Sequence, residues 1–262
     1  MSATDSFKAG RLQEAVDQQI QEVKSDPADH AKRLFLFELF AFGGDLERAK
    51  RQIDAIQYDE LELEAATLAY RKVLDSETAR RRLFRDGTAP QFLREPTESV
   101  RLRLEAVNRL RENRLVEAAQ TLARAAEKEP PVRGLLNQKS FDSLRDCDDV
   151  FGPVLEVMAQ GNYYWVPLEH IDTLAMNPPK HPRDLLWVPA RLEVPDGPAG
   201  DVFLPALYPF SHEHSDDLVK LGRMTDWKGA EREPVQGVGL RTFLVGDEAI
   251  TLLEWRELQI VS

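Results

Sequence analysis

The sequence holds one cysteine, Cys147, in 262 residues, so no disulfide can form within the chain. Its neighbours Asp146, Asp148 and Asp149 would raise the pKa of the thiol, which argues against a reactive thiolate. No stretch approaches the ~18 consecutive apolar residues of a membrane-spanning helix. The first residues, MSATDSFKAGRLQEA, lack the apolar core and cleavage site of a secretory leader. Three signatures of catalysis are missing: the phosphate-binding GxxxxGKS/T loop, the GxSxG nucleophile elbow and the zinc-protease HExxH. Gly237-Val238-Gly239 is only a fragment of a glycine-rich turn, without the helix that would cradle a phosphate. Positive charge is also in deficit, with 34 Lys and Arg against 45 Asp and Glu, a net of -11. A basic face for nucleic acid is therefore not expected. These absences predict a cytoplasmic protein that uses no cofactor and engages neither nucleic acid nor membrane.

The first half reads as helices in pairs. Phe7, Leu12, Ala15, Val16, Ile20 and Val23 make one apolar stripe at three- and four-residue spacing, and Asp26-Pro27 ends it. A second helix is expected over Asp29 to Phe42, closed by Gly43-Gly44, and a third from Asp45 through Ile56. The hexad Gly10-Arg11-Leu12-Gln13-Glu14-Ala15 returns as Gly44-Asp45-Leu46-Glu47-Arg48-Ala49 and as Asn113-Arg114-Leu115-Val116-Glu117-Ala118. The first offset is 34 residues and the last spans 103 residues from Gly10, close to three periods of a tetratricopeptide-like array. A small residue permits the turn, Leu anchors the next helix, and Ala lets two helices approach. The run Arg80-Arg81-Arg82 with Arg85 reads as a solvated helix face near a helix end.

Composition shifts at Glu129-Pro130-Pro131. The remainder carries 13 of the 16 prolines and all four tryptophans, and its net charge is -9 against -2 before the break. One helix is expected from Phe141 or Asp148 to Met158, ended by Gly161. Strand-like runs follow at Tyr163–Val166, Leu185–Val194, Val202–Tyr208, Leu240–Val245 and Ile250–Ile260. The fold class is thus α+β. A helical tetratricopeptide-like domain over residues 1–129 precedes a smaller α+β domain over 130–262 with a mostly antiparallel sheet. The break also leads to the expectation that residues 1–129 fold without the rest.

Candidate binding residues come from two places. The helix of Asp29 to Phe42 has more large apolar side chains than one buried face needs, which singles out Phe35, Phe37 and Phe40 as partner-binding candidates. In the second half, Tyr164, Trp165 and Trp187, with the charge pair Arg183-Asp184, could form a ligand platform, which keeps a small-molecule or enzymatic site open as the alternative reading. His212 and His214 lie two apart and share a side only in a strand, so metal binding is not expected there.

Certain runs are distinctive as a set. They are Leu144-Arg145-Asp146 with Asp148-Asp149, Gly161-Asn162-Tyr163-Tyr164-Trp165-Val166-Pro167, Arg183-Asp184-Leu185-Leu186-Trp187-Val188-Pro189-Ala190, Leu204-Pro205-Ala206-Leu207-Tyr208-Pro209 and Leu221-Gly222-Arg223-Met224-Thr225-Asp226-Trp227. Together they resemble the ImpE/TagJ family (SciE-type), accessory proteins of bacterial type VI secretion, and the helical repeats fit the same family. The resemblance implies a non-enzymatic adaptor that contacts the small subunit of the contractile sheath and the AAA+ ATPase that recycles contracted sheaths. It carries over no catalytic residue.

Overall fold

The computed structural model describes residues 2–261. Its first half is helical: α1 Ala3–Lys8, α2 Leu12–Ser25, α3 His30–Phe42, α4 Leu46–Asp54, α5 Leu61–Asp86, α6 Glu98–Arg111 and α7 Leu115–Ala126. Side-chain caps set several of the starts. Asp29, Asp45 and Thr97 accept backbone N–H groups of Lys32, Arg48 and Val100, which would otherwise be orphaned in the first turn.

The three sequence hexads fold into three copies of one turn. Gly10, Gly44 and Asn113 all adopt the left-handed conformation, with φ of 78°, 75° and 58°. The next N–H reaches back five residues each time, Arg11 to Ser6, Asp45 to Phe40 and Arg114 to Arg109, the closure that satisfies the last carbonyls of a helix. Ala15, Ala49 and Ala118 are each fully buried where the two helices of a pair cross. The same turn corrects the first helix expected from the apolar stripe. Phe7 belongs to α1 and Leu12 to α2, because Gly10 breaks the chain between them.

The second half is a sheet structure. Its strands are β1 Gly134–Leu136, β2 Lys139–Phe141, β3 Leu144–Asp146, β4 Val154–Ala159, β5 Asn162–Pro167, β6 Thr173–Met176, β7 Trp187–Glu193, β8 Ala199–Pro205, β9 Thr225–Lys228, β10 Gln236–Gly239, β11 Thr242–Val245, β12 Glu248–Thr251 and β13 Glu257–Ile260. A short helix, α8 Asp217–Lys220, precedes β9. Eight strands form the main sheet in the order β2-β1-β13-β6-β7-β8-β4-β5, with antiparallel ladders throughout. Strands β12-β11-β3 and β10-β9 form two small sheets beside it.

Two readings of this half need correction. The helix expected between Phe141 and Met158 is absent, and β3, a turn and β4 stand in its place. Gln160 and Gly161 both have positive φ, 52° and 85°, and make the two-residue hairpin that pairs Ala159 with Asn162. Gly161 therefore marks a strand reversal and not a helix end. The run Ile250–Ile260 is also broken, by a 3-10 turn at Leu252–Glu254 that turns Trp255 into the core.

The main sheet is covered on both faces, and alternation along each strand sorts the side chains. On β4, Leu155 and Val157 join the core formed with Val166, Leu204, Phe243 and Trp255. Their neighbours Val154 and Met158 face the helices. Two cores are built jointly by the two halves of the chain. One sets Phe37, Phe42 and Val73 of the helices against Trp187, Leu207 and Leu221. The other sets Leu83, Val100 and Leu122 against Phe151, Trp165 and Tyr208.

Candidate functional site

Helix α3, the 3-10 turn Pro182–Leu185 and β7 meet over the middle of α5, and four of the expected site residues converge there. Phe37 stacks on Trp187 with ring centroids 6.3 Å apart. The Arg183 guanidinium lies 5.1 Å over the Tyr70 ring and donates to Glu38 at 2.6 Å. Asp184 accepts the backbone N–H groups of Lys180 and His181 and the Tyr70 hydroxyl. The arrangement is an internal joint. Phe37, Trp187 and Asp184 are buried, and the nearby opening holds about 30 Å³, room for about one water molecule.

The other expected residues are spread out. Phe40 is buried under Arg48, and Phe35 packs edge-on against Phe7. Trp165 is buried and donates through Nε1 to the Tyr163 hydroxyl at 2.6 Å. Tyr164 points the other way on the edge strand β5, beside the bridge to Gln91. The apolar excess of α3 is thus absorbed by neighbours on two sides: the other helices and the sheet.

Glu38 gives this joint a measurable signature. Burial pushes its carboxyl up to about 7, against the pull of Arg183. A raised folded value means that the contribution to stability is full below the ordinary value of 4.5 and is lost as pH rises through about 7. Glu38→Gln keeps an acceptor for Arg183 and abolishes the titration. Denaturant midpoints taken across that window should fall for the wild type relative to the variant. Parallel curves would show that Glu38 does not titrate there.

A second buried constellation was not anticipated. Arg80 of α5 grips Glu156 of β4 through two bonds of 2.7 Å and donates to the Leu207 carbonyl at 2.8 Å. Arg241 donates to the same carboxylate at 2.8 Å and to Asp146 of β3. The Tyr163 hydroxyl donates to Glu156, and the Tyr208 hydroxyl donates to Asp146 at 2.7 Å. Arg241, Glu156 and Asp146 are completely buried. Burial acts against the charge of Glu156, yet Arg80 and Arg241 overcome it and hold its carboxyl below the ordinary range. Burial raises Asp146 despite Arg241, and burial with the neighbouring Asp146 pushes Asp148 up to about 8. The basic run is therefore no solvated face at its first residue: Arg80 is 3% exposed and ties α5 to the sheet.

Three features remain at the surface. A wide opening of about 590 Å³ lies between residues 43–47 and the outer face of α5, where Arg81, Arg82 and Arg85 meet Asp45, Glu47 and Asp86 and so leave no net charge. His212 lies against Gly44, and burial drives its imidazole down to about 4, whereas His214 pairs with Asp226 at 3.2 Å, so the two histidines do not converge. Among the described residues no group of three or more His, Cys, Asp or Glu is placed to hold a metal, and no helix is long and apolar enough to cross a membrane. The third feature is a groove of about 260 Å³ between the first half of α5 and the tip of the β4–β5 hairpin, walled by Ala65, Leu68 and Ala69 on one side and by Ala159, Gln160 and Phe203 on the other.

Comparison with known proteins bears on both halves. The family model described as ImpE protein matches residues 138–259, most of the sheet half. The type VI secretion system accessory component TagJ of Pseudomonas aeruginosa is 35% identical over 263 residues, spanning 98% of this chain and 90% of that protein. A crystal structure of a Vibrio parahaemolyticus protein superposes with a TM-score of 0.89 at 26% identity, over 99% of this chain and 97% of that one.

Proposed function

The chain belongs to the ImpE/TagJ family of type VI secretion accessory proteins, and from that premise we propose that it works as a non-enzymatic adaptor, binding a subunit of the contractile sheath through its helical half. The observation that carries this reading is kinship with TagJ along both halves of the chain, helices included. The fold is compatible with it. Paired helices at a tetratricopeptide-like period present their outer surfaces to other proteins. The residues that suggested a small-molecule site are instead engaged by other side chains, Trp187 by Phe37, Arg183 by Glu38 and Trp165 by Tyr163, which takes support from the alternative of a ligand-binding or catalytic sheet domain.

The partner is the small sheath subunit, with the AAA+ ATPase that recycles contracted sheaths as a second contact, so that the protein affects how contracted sheath reaches the ATPase. Calorimetry of the full chain with each purified protein tests this. Saturable binding to the sheath subunit, with a dissociation constant in the micromolar range or tighter (roughly 8 kcal/mol or more of binding free energy), is the expected result. Absence of binding to both proteins at high micromolar concentration would remove the adaptor reading.

A further inference from the structure

Leu61, at the start of α5, is 87% exposed, more than any other large apolar residue among the described ones. Leu68 is 48% exposed. With Ala65 and Lys72 they stand at i, i+4, i+7 and i+11, a ridge on the side of α5 away from the buried Tyr70 and Leu74. A single exposed leucine needs no explanation. This one protrudes from the same helix that, further along, walls an apolar recess. The groove of about 260 Å³ beside the β4–β5 hairpin is lined by Leu68, Ala69 and Val73 of α5 and by Met158 and Phe203 of the sheet. Leu61 lies roughly 12–18 Å along the helix axis from that recess and cannot reach it within its own rigid helix. A second copy of Leu61 can.

The charges along the ridge have the same two-ended pattern. Asp59, Glu60 and Glu62 are exposed at its start, and among the described residues Glu62 belongs to no ion pair. At the other end the Lys72 ammonium is bonded at 2.7 Å to the neutral side-chain amide of Gln160, which leaves its charge in place. On the opposite wall Asp201 is already paired with Arg191 at 3.7 Å. One end of the ridge is therefore negative and the other positive, each without a partner of opposite charge.

We propose that two copies of this chain associate through the first halves of their α5 helices, antiparallel about a two-fold axis between Ala65 and Ala69. About this axis Ala65 of one copy lies opposite Ala69 of the other, Glu62 opposite Lys72, and Leu61 opposite Val73, over the groove. Small residues at the crossing point let the two helices approach closely. The two-fold makes every contact twice, so each copy supplies one protruding leucine and one recess. A parallel pairing would set Glu62 on Glu62 and Lys72 on Lys72, and that repulsion selects the antiparallel arrangement. From residue 61 to residue 72 the ridge is ~18 Å long. So short a contact belongs at the low end of specific interfaces, and a dissociation constant in the micromolar range follows. The contact involves this chain alone, so its failure would leave the adaptor reading untouched.

Sedimentation velocity of the full chain between roughly 1 and 500 μM tests this, since a weak dimer reveals itself by its dependence on concentration. The wild type should pass from the monomer of 29.8 kDa toward twice that mass. Leu61→Glu/Leu68→Glu replaces exposed side chains, so the melting curve at the lowest concentration should be unchanged while the dissociation constant rises about tenfold or more. The charges supply a test of orientation. Glu62→Lys and Lys72→Glu should each weaken association, most at low salt. An equimolar mixture of the two variants should recover it, because each then meets charges opposite to its own. A wild type that stays monomeric throughout the range overturns the proposal. So does a dimer that persists in the leucine variant, which would place the interface elsewhere, and so does a mixture that associates no better than either variant alone.

Discussion

Arg241→Met should lower the melting temperature by about 10 °C or more, the largest loss expected from any single substitution in the sheet half. The side chain is completely buried and joins two carboxylates that are equally buried, Asp146 and Glu156. Its guanidinium also lies 4.6 Å over Phe151 and 5.4 Å over Phe243, so it fills volume between two aromatic layers. Methionine replaces much of the volume and none of the charge. Glu156 keeps Arg80, but Asp146, whose carboxyl burial already raises, is left with no cation and must either carry an unpaired charge or take up a proton, and removing one member of a buried pair costs about 3–5 kcal/mol. A second change identifies the cause. Asp146→Asn keeps the oxygen that accepts from Tyr208 and from the Asp148 backbone while removing the stranded charge. Added to Arg241→Met it should recover part of the loss, although alone it should destabilise. Chemical denaturation of the four proteins gives the coupling directly. A single variant that melts within a few degrees of wild type would mean that the network contributes little net stability.

Which parts of this could be read from residues depends on whether the signal is local. The hexads at Gly10, Gly44 and Asn113 were legible because a turn that needs positive φ leaves its mark in one residue and the helix contact leaves its mark five residues later as Ala. The antiparallel sheet was legible in the proline- and glycine-punctuated runs. The β4 strand was not, since Val-Leu-Glu-Val-Met-Ala is buried on both faces and loses the alternation that marks a half-exposed strand. The charge network was hidden for another reason. Arg80 sits in a run of three arginines and looks like its neighbours, and only the three-dimensional path brings it to Glu156, 76 residues away. One clue was available: Glu156 is a lone carboxylate in an apolar strand, and a buried charge requires a partner. The family motifs include Asp146, Tyr163, Trp165 and Tyr208, which belong to this network or its immediate support. Part of what makes the resemblance distinctive is therefore the internal joint between helices and sheet.

That joint bears on the boundary at Glu129-Pro130-Pro131, which suggested two units that fold separately. The structure leads to the opposite expectation for the helical piece: residues 1–129 alone should retain helical circular dichroism yet show no cooperative thermal transition. Helix α7 ends at Ala126 and the first strand begins at Gly134, so the secondary structure does change there. The cores do not follow it. Removal of the sheet half takes Met158, Leu186, Trp187, Leu207 and Leu221 from one helical core and Phe151, Val154, Tyr163, Trp165 and Tyr208 from the other. Phe37, Tyr70, Leu83 and Val100 would face water on that side, at about 1.5–3 kcal/mol for each large apolar side chain uncovered. Arg80 would lose Glu156 and the Leu207 carbonyl, and Arg103 would lose its two carbonyl acceptors at Asp149 and Val150. Those losses together are of the same size as the ~5–15 kcal/mol that holds a typical native protein. What remains is amphipathic helices without fixed packing, a state recognised by strong binding of a hydrophobic dye and by loss of near-ultraviolet dichroism. The intact chain, by contrast, should melt in one calorimetric transition. A fragment that unfolds cooperatively near the temperature of the whole protein would show that the helical pairs hold themselves together. The joint would then be a contact between two finished domains.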